Sequence, residues 1–178
     1  EQPPPPVIVS DPEVSIKLTD LDLGKPLCTP EFIKDAAIQA VKDNYNSYSP
    51  VDGYADLKSA ICEKFKRDNG LEYQASQIVV STGAKQSIAN VCMVLLDPGD
   101  EVLLPAPYWV SYSAIATLAE AKPIIIPSSV DHDFKITPEQ LEAAITPKTK
   151  LVMFNSPNNP SGSIYTEEEY RELGAVLQ

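Results

Sequence analysis

From residue 77 onward the chain alternates short β-branched runs with helical stretches, and this alternation narrows its possible folds more than any other feature. The runs at 77–81, 101–104, 122–127 and 150–155 read as strands. The stretches 84–96, 109–119, 137–145 and 166 onward carry apolar residues at helical spacing. Such regular alternation predicts right-handed crossovers, a largely parallel sheet and helices on both faces, which is an α/β, three-layer αβα architecture. Ligands of such sheets gather outside the carboxyl ends of the strands.

Upstream, Phe32-Ile33, Ala36-Ala37 and Ala40-Val41 recur at three- and four-residue steps and predict a helix from 31 to about 44. Residues 46–53 are rich in turn formers and read as a loop. A second amphipathic helix is predicted over 54–69, with Leu57, Ile61 and Phe65 on one face and Gly70 as its cap. Thr137 and Thr166 read as N-caps, because Gln140 and Glu169 stand three residues on and can close a capping box.

A net charge of −11 disfavours contact with nucleic acid or an anionic membrane, since both carry the same sign. No apolar run approaches the roughly 18 residues of a membrane-spanning helix. Cys28, Cys62 and Cys92 are widely spaced and lack histidine neighbours, so no metal site is expected. They read as reduced thiols of a cytoplasmic protein. The proline run at 3–6 predicts an extended tail over residues 1–20, and no secretory signal pattern is visible.

Three constellations fall where chemistry is expected. Ser81-Thr82-Gly83-Ala84-Lys85-Gln86-Ser87 joins a predicted strand to a helix, where small residues and free N–H groups suit a phosphate. The same pattern also serves as an ordinary structural turn. Pro105-Ala106-Pro107-Tyr108-Trp109-Val110-Ser111-Tyr112 follows the next strand and holds the only tryptophan, a flat side chain able to stack on a planar ring or to anchor a helix on the sheet. Asn155-Ser156-Pro157-Asn158-Asn159-Pro160-Ser161-Gly162 is a turn whose adjacent amides can also face a ligand. The Asn159–Pro160 bond is expected to be cis, with Ala106–Pro107 as the second candidate, because X-Pro is the common site of cis bonds. His132 lies in an acidic turn and Glu167-Glu168-Glu169 opens a helix, so both read as solvated surface.

Taken in order, Tyr48-Ser49-Pro50 with Gly53-Tyr54-Ala55-Asp56-Leu57-Lys58, Gly83-Ala84-Lys85-Gln86, Asp97-Pro98-Gly99-Asp100-Glu101-Val102, residues 105–112 and residues 156–162 make a specific resemblance. From about residue 29 to 178 the chain resembles the class I aminotransferases of PLP fold type I, and among them the bacterial aspartate aminotransferases. The resemblance implies that Gly83, Ala84 and Lys85 bind the phosphate of pyridoxal 5'-phosphate. It implies that Trp109 stacks on the cofactor ring and borders the substrate, and that Asn159 bonds the phenolic oxygen near the substrate carboxylate. Tyr48 would reach the cofactor phosphate of the neighbouring subunit in a homodimer, and Gly24 would touch the substrate through its backbone. The stretch Gly24-Lys25-Pro26-Leu27-Cys28-Thr29-Pro30 departs from the family's Gly-x-Pro-Asp-Phe-x-Thr-Pro by lacking the Asp-Phe pair. Lys58 stands where the family commonly has arginine.

On this resemblance residues 21–50 contribute to the small domain and substrate entry, and 51–178 form the N-terminal part of the PLP-binding large domain, truncated. The family's Schiff-base lysine, its partner to the pyridine nitrogen and its carboxylate-binding arginine lie beyond residue 178, so no catalytic residue is assigned and this chain alone is expected to be inactive. The expected function of the parent protein is transfer of an amino group between an amino acid, aspartate or glutamate, and a 2-oxo acid. Another reaction of the same fold and a non-catalytic binding module are the alternatives. The strand at 150–155 is expected at an open edge, leaving Val152 and Phe154 uncovered.

Overall fold

A computed structural model describes residues 29–178. The chain divides into two compact units, Glu1–Ser49 and Pro50–Gln178. The described part of the first contains helix α1 (Glu31–Lys42), with an acid in its first turn and a lysine in its last, both favourable to the helix dipole. Phe32 and Val41 on this helix are exposed.

The second unit opens with a turn at Gly53 and helix α2 (Ala55–Asn69), which ends at Gly70 in the left-handed conformation. Then follow α3 (Ala84–Leu95), β1 (Glu101–Pro105), α4 (Ser111–Leu118), β2 (Lys122–Ile126), α5 (Pro138–Ala144), β3 (Thr149–Val152) and α6 (Glu167–Val176). The strands form a parallel sheet in the order β2-β1-β3. Leu103 lies beside Ile124 on one side and Val152 on the other, with a register irregularity at Glu101/Val102.

All five residues of β1 are buried, as befits a strand covered on both faces. Successive side chains point to opposite faces, so Val102 and Leu104 enter one core and Leu103 the other. The first core joins them to Cys92 and Leu96, to Tyr112, Ile115 and Ala116 of α4, and to Met153. The second gathers Ile126, Ile136, Leu141, Tyr165 and Leu173 around Leu103. Burying a side chain such as Leu103 contributes about 1.5–3 kcal/mol. The expected αβα layering is therefore present, with α3 and α4 in the first core and α5 and α6 in the second.

Both capping boxes form: Thr137 with Gln140 at α5, and Thr166 with Glu169 at α6. The run at 77–81 departs from expectation. It holds a 3-10 turn at Ala75–Gln77 followed by irregular chain, with Ile78 buried and Val79 exposed. A strand needs a ladder partner, and none of the described strands lies beside it; the Val80 N–H instead donates to the Asp52 carbonyl at 3.0 Å. The third strand is also shorter than expected. It is an edge strand among the described residues, but Val152 and Phe154 are half-buried against the second core rather than uncovered.

Candidate functional site

The loops after β1 and β3 leave the same, carboxyl edge of the sheet, because the strands are parallel. The turn before α3 is tied to them by side chains. Gly83 has φ +84° and ψ 163°, a backbone region essentially confined to glycine, and a Cβ there would meet nothing within 4 Å. The Gly83 carbonyl accepts from the amides of Gln86 and Ser87, whereas those of Ala84 and Lys85 fall in the first turn, where no intrahelical acceptor exists. Those two amides, at exposed residues, make a cradle of partial positive charge suited to a phosphate.

The Lys85 ammonium lies 5.0 Å from the centre of the Trp109 ring, a cation–π contact between the first loop and the second. Trp109 is half-buried and meets Tyr112 edge to face, centroids 5.6 Å apart. Tyr112 in turn donates to Asn155 Oδ1 at 3.4 Å, reaching the third loop. Burial pushes the Tyr112 phenol up from its ordinary value, which keeps it a neutral donor. Asn158 Nδ2 donates to the Pro107 carbonyl at 2.9 Å, a second tie between these loops. The third loop closes on itself as Asn158 N donates to Ser163 O and Gly162 N to Asn158 O, each at 2.8 Å. The Ser128 hydroxyl bonds the Ala106 carbonyl and the Ala106 amide bonds Ile126 O, fixing the second loop to the end of β2. Asn159 is exposed, and its side chain makes no hydrogen bond within the described residues.

Gly83, Ala84, Lys85 and Trp109 thus come together with the loop that carries Asn159. The set fits a planar, phosphate-bearing ligand: an open glycine turn with two free amides, a half-buried aromatic face and an uncommitted amide. Tyr48 belongs to the other compact unit, where its ring is fully exposed, and Gly24 lies outside the described residues. Cis bonds occur at Ala106–Pro107 and Asn159–Pro160 as expected, and also at Ser156–Pro157, which the sequence reading did not single out.

Lys58 forms an ion pair with Asp52, so its charge is used within the turn at Gly53. His132 ends an exposed 3-10 turn, and Glu169 pairs with Lys135 at 2.6 Å. Among the described residues no group of His, Cys, Asp or Glu is arranged to hold a metal, and no helix is long and apolar enough to cross a membrane. The contacts of Tyr112, Asn155 and Asn158 were missed by sequence reasoning. They join residues 43 and 51 positions apart, and no local signal marks them.

Comparison with known proteins bears on the family and the fold. The family described as "Aminotransferase class I and II" matches residues 16–178. An aspartate/prephenate aminotransferase of Nitrosomonas europaea is 52% identical over 159 residues, covering 89% of this chain and 40% of the relative. The aspartate aminotransferase of Bacillus subtilis is 48% identical over 88% of this chain and 40% of its own length. Among solved structures, the aspartate aminotransferase of Rhizobium meliloti superposes with a TM-score of 0.81 at 50% identity, over 84% of this chain and 37% of that one. An aromatic aminotransferase of Pyrococcus horikoshii gives 0.80 at 34% identity, over 84% and 40%. The chain therefore spans about 40% of the length of the curated relatives it matches. With a family match over residues 16–178 and relatives about half identical across most of that span, the chain belongs to the class I and II aminotransferases.

Proposed function

We propose that the whole protein transfers an amino group between an amino acid, aspartate or glutamate, and a 2-oxo acid, using pyridoxal 5'-phosphate in a cytoplasmic homodimer. The observation that carries this reading is the joining of the Gly83 turn, Trp109 and the Asn159 loop at one sheet edge by the Lys85–Trp109, Tyr112–Asn155 and Asn158–Pro107 contacts. The cofactor, when bound, supplies the electron sink for the reaction at the amino acid's α-carbon.

This chain's residues bind and orient. The amides of Ala84 and Lys85 and the open Gly83 turn take the phosphate, where hydrogen bonds to a charged acceptor are among the stronger ones. The Trp109 face covers the ring and keeps water from it. The Asn159 amide donates to the phenolic oxygen and borders the substrate carboxylate. Tyr48 contributes to the phosphate site of the neighbouring subunit, and Gly24 meets the substrate through its backbone. Residues 51–178 serve as part of the large, cofactor-binding domain and residues 21–50 as part of the small domain at the substrate entry; the tail expected over residues 1–20 lies outside the described residues.

The test is titration of the full-length protein with pyridoxal 5'-phosphate followed by amino transfer from aspartate to 2-oxoglutarate. Saturable binding, transfer, and weakened binding in Asn159→Ala are expected. A full-length protein that binds no cofactor, or that binds it and transfers no amino group, overturns the proposal. The likeness to an aromatic aminotransferase favours a second reading with an aromatic amino acid as donor. Comparing aspartate with phenylalanine as donor separates the two.

A further inference from the structure

We propose that Asn158 is a positioning residue that holds Asn159 and Trp109 at a fixed spacing across the cofactor site; this rests on the cofactor-binding reading above. Among the described residues Asn158 makes no hydrogen bond to the Gly83 turn or to the side chains of Trp109 and Asn159. Its side-chain amide instead spans two loops, donating to the Pro107 carbonyl at 2.9 Å, two residues before Trp109. Its backbone closes its own loop through Ser163 O and the Gly162 amide, each at 2.8 Å. Asn158 is therefore fixed at three points while its neighbour Asn159 makes no side-chain hydrogen bond within the described residues. A free side chain on an anchored backbone is the arrangement that pre-orients a ligand group, since the ordering is completed before binding.

The bond also complements the one from Tyr112 to Asn155, which joins the same loops at the helix side at a longer 3.4 Å. With both in place the aromatic face and the Asn159 amide move together. Removing the Asn158 donor leaves a single, weaker tie, and the two groups lose their common frame. The half-buried Pro107 carbonyl then also lacks its partner.

The experiment uses the full-length enzyme with Asn158→Asp, which keeps the shape and replaces the donor by an acceptor, and Asn158→Ala, which deletes the group. Affinity for pyridoxal 5'-phosphate is measured by equilibrium dialysis, and the setting of the bound ring by circular dichroism in the cofactor's absorption band. A loss of about 3- to 10-fold in affinity, the size of one hydrogen bond, is expected together with an altered dichroic band. In an Asn159→Ala background the same Asn158 change is expected to weaken binding less than 2-fold, about the limit of additivity, because the residue it positions is gone. A merely structural role predicts an equal loss in both backgrounds, and that result overturns the proposal. Unchanged affinity and dichroism in the Asn158 variants of a cofactor-binding parent also overturn it while leaving the function intact. A parent that binds no cofactor overturns the function itself. If Asn158→Asp does not fold, Asn158→Ala carries the same comparison.

Discussion

Replacing Gly53 by alanine tests how the loop before α2 supports the turn at Gly83. Gly53 has φ +98°, and a Cβ built on it lies 2.5 Å from Val80 Cγ2 and 2.7 Å from Val80 Cβ. Neither contact is a flexible tip, so the backbone must shift. A side chain at positive φ costs about 1–3 kcal/mol, and overpacking against a fixed neighbour adds about 1–3 kcal/mol. Together these are a large share of the about 5–15 kcal/mol that stabilises a typical domain. The Val80 amide is held by the Asp52 carbonyl at 3.0 Å, and Val80 runs directly into Ser81, Thr82 and Gly83, so the shift is passed to the Gly83 turn. Gly53→Ala in the full-length protein should therefore lower the urea midpoint and weaken cofactor binding as well. Val80→Ala alone, deleting two half-buried methyl groups, should cost about 1–2 kcal/mol. In the Gly53→Ala background it removes the 2.5 Å contact with Cγ2 but neither the 2.7 Å contact with Cβ nor the φ cost, so the double variant should be more stable than the sum of the singles by about 1 kcal/mol. Additivity within about 0.5 kcal/mol, or a Gly53→Ala protein as stable as its parent, would refute the reasoning.

The Lys135–Glu169 pair should leave a mark on the pH profile. Its hydrogen bond with Lys135 holds the Glu169 carboxyl below its ordinary 4.5 and the Lys135 ammonium above its ordinary 10.5. Glu169 thus contributes stability above pH 4.5 that is lost as pH falls through its lowered value, and Lys135 contributes stability below 10.5 that is lost as pH rises through its raised value. Glu169→Gln keeps an oxygen to accept from Thr166 N and should flatten both limbs of the melting-temperature profile by no more than about 1 kcal/mol; identical slopes would contradict the assignment. Val79, Val91, Met93, Val94 and Leu95 form an exposed apolar face, so a polypeptide of these 178 residues should self-associate at micromolar concentration, and Val94→Asp should reduce it. A monomer in sedimentation before the substitution would count against this. The same polypeptide, treated with pyridoxal 5'-phosphate and borohydride, should show no stoichiometric labelling of Lys85, whose side chain lies over Trp109; peptide mapping that finds such labelling would make Lys85 the covalent anchor.

Some of this molecule is written locally. The threonines at 137 and 166 cap their helices because the partner side chain is three residues away, within one turn. Strand β1 was legible because five consecutive buried positions leave a run that needs no knowledge of its neighbours. The small-residue turn at Gly83 and the prolines at 107 and 160 announced themselves in the same way, through restrictions on their own backbone. Residues 77–81 show the limit: a β-branched run reads as a strand, but a strand exists only where another supplies its ladder, and that is decided by packing. The ties of Asn158 to Pro107 and of Tyr112 to Asn155 lie beyond any local signal, because they depend on two parallel strands delivering distant loops to one edge. Sequence alone thus named the side chains suited to a phosphate and a planar ring. Their placement within reach of one another came from the sheet, since only tertiary packing brings residues 43 and 51 positions apart into hydrogen-bonding distance.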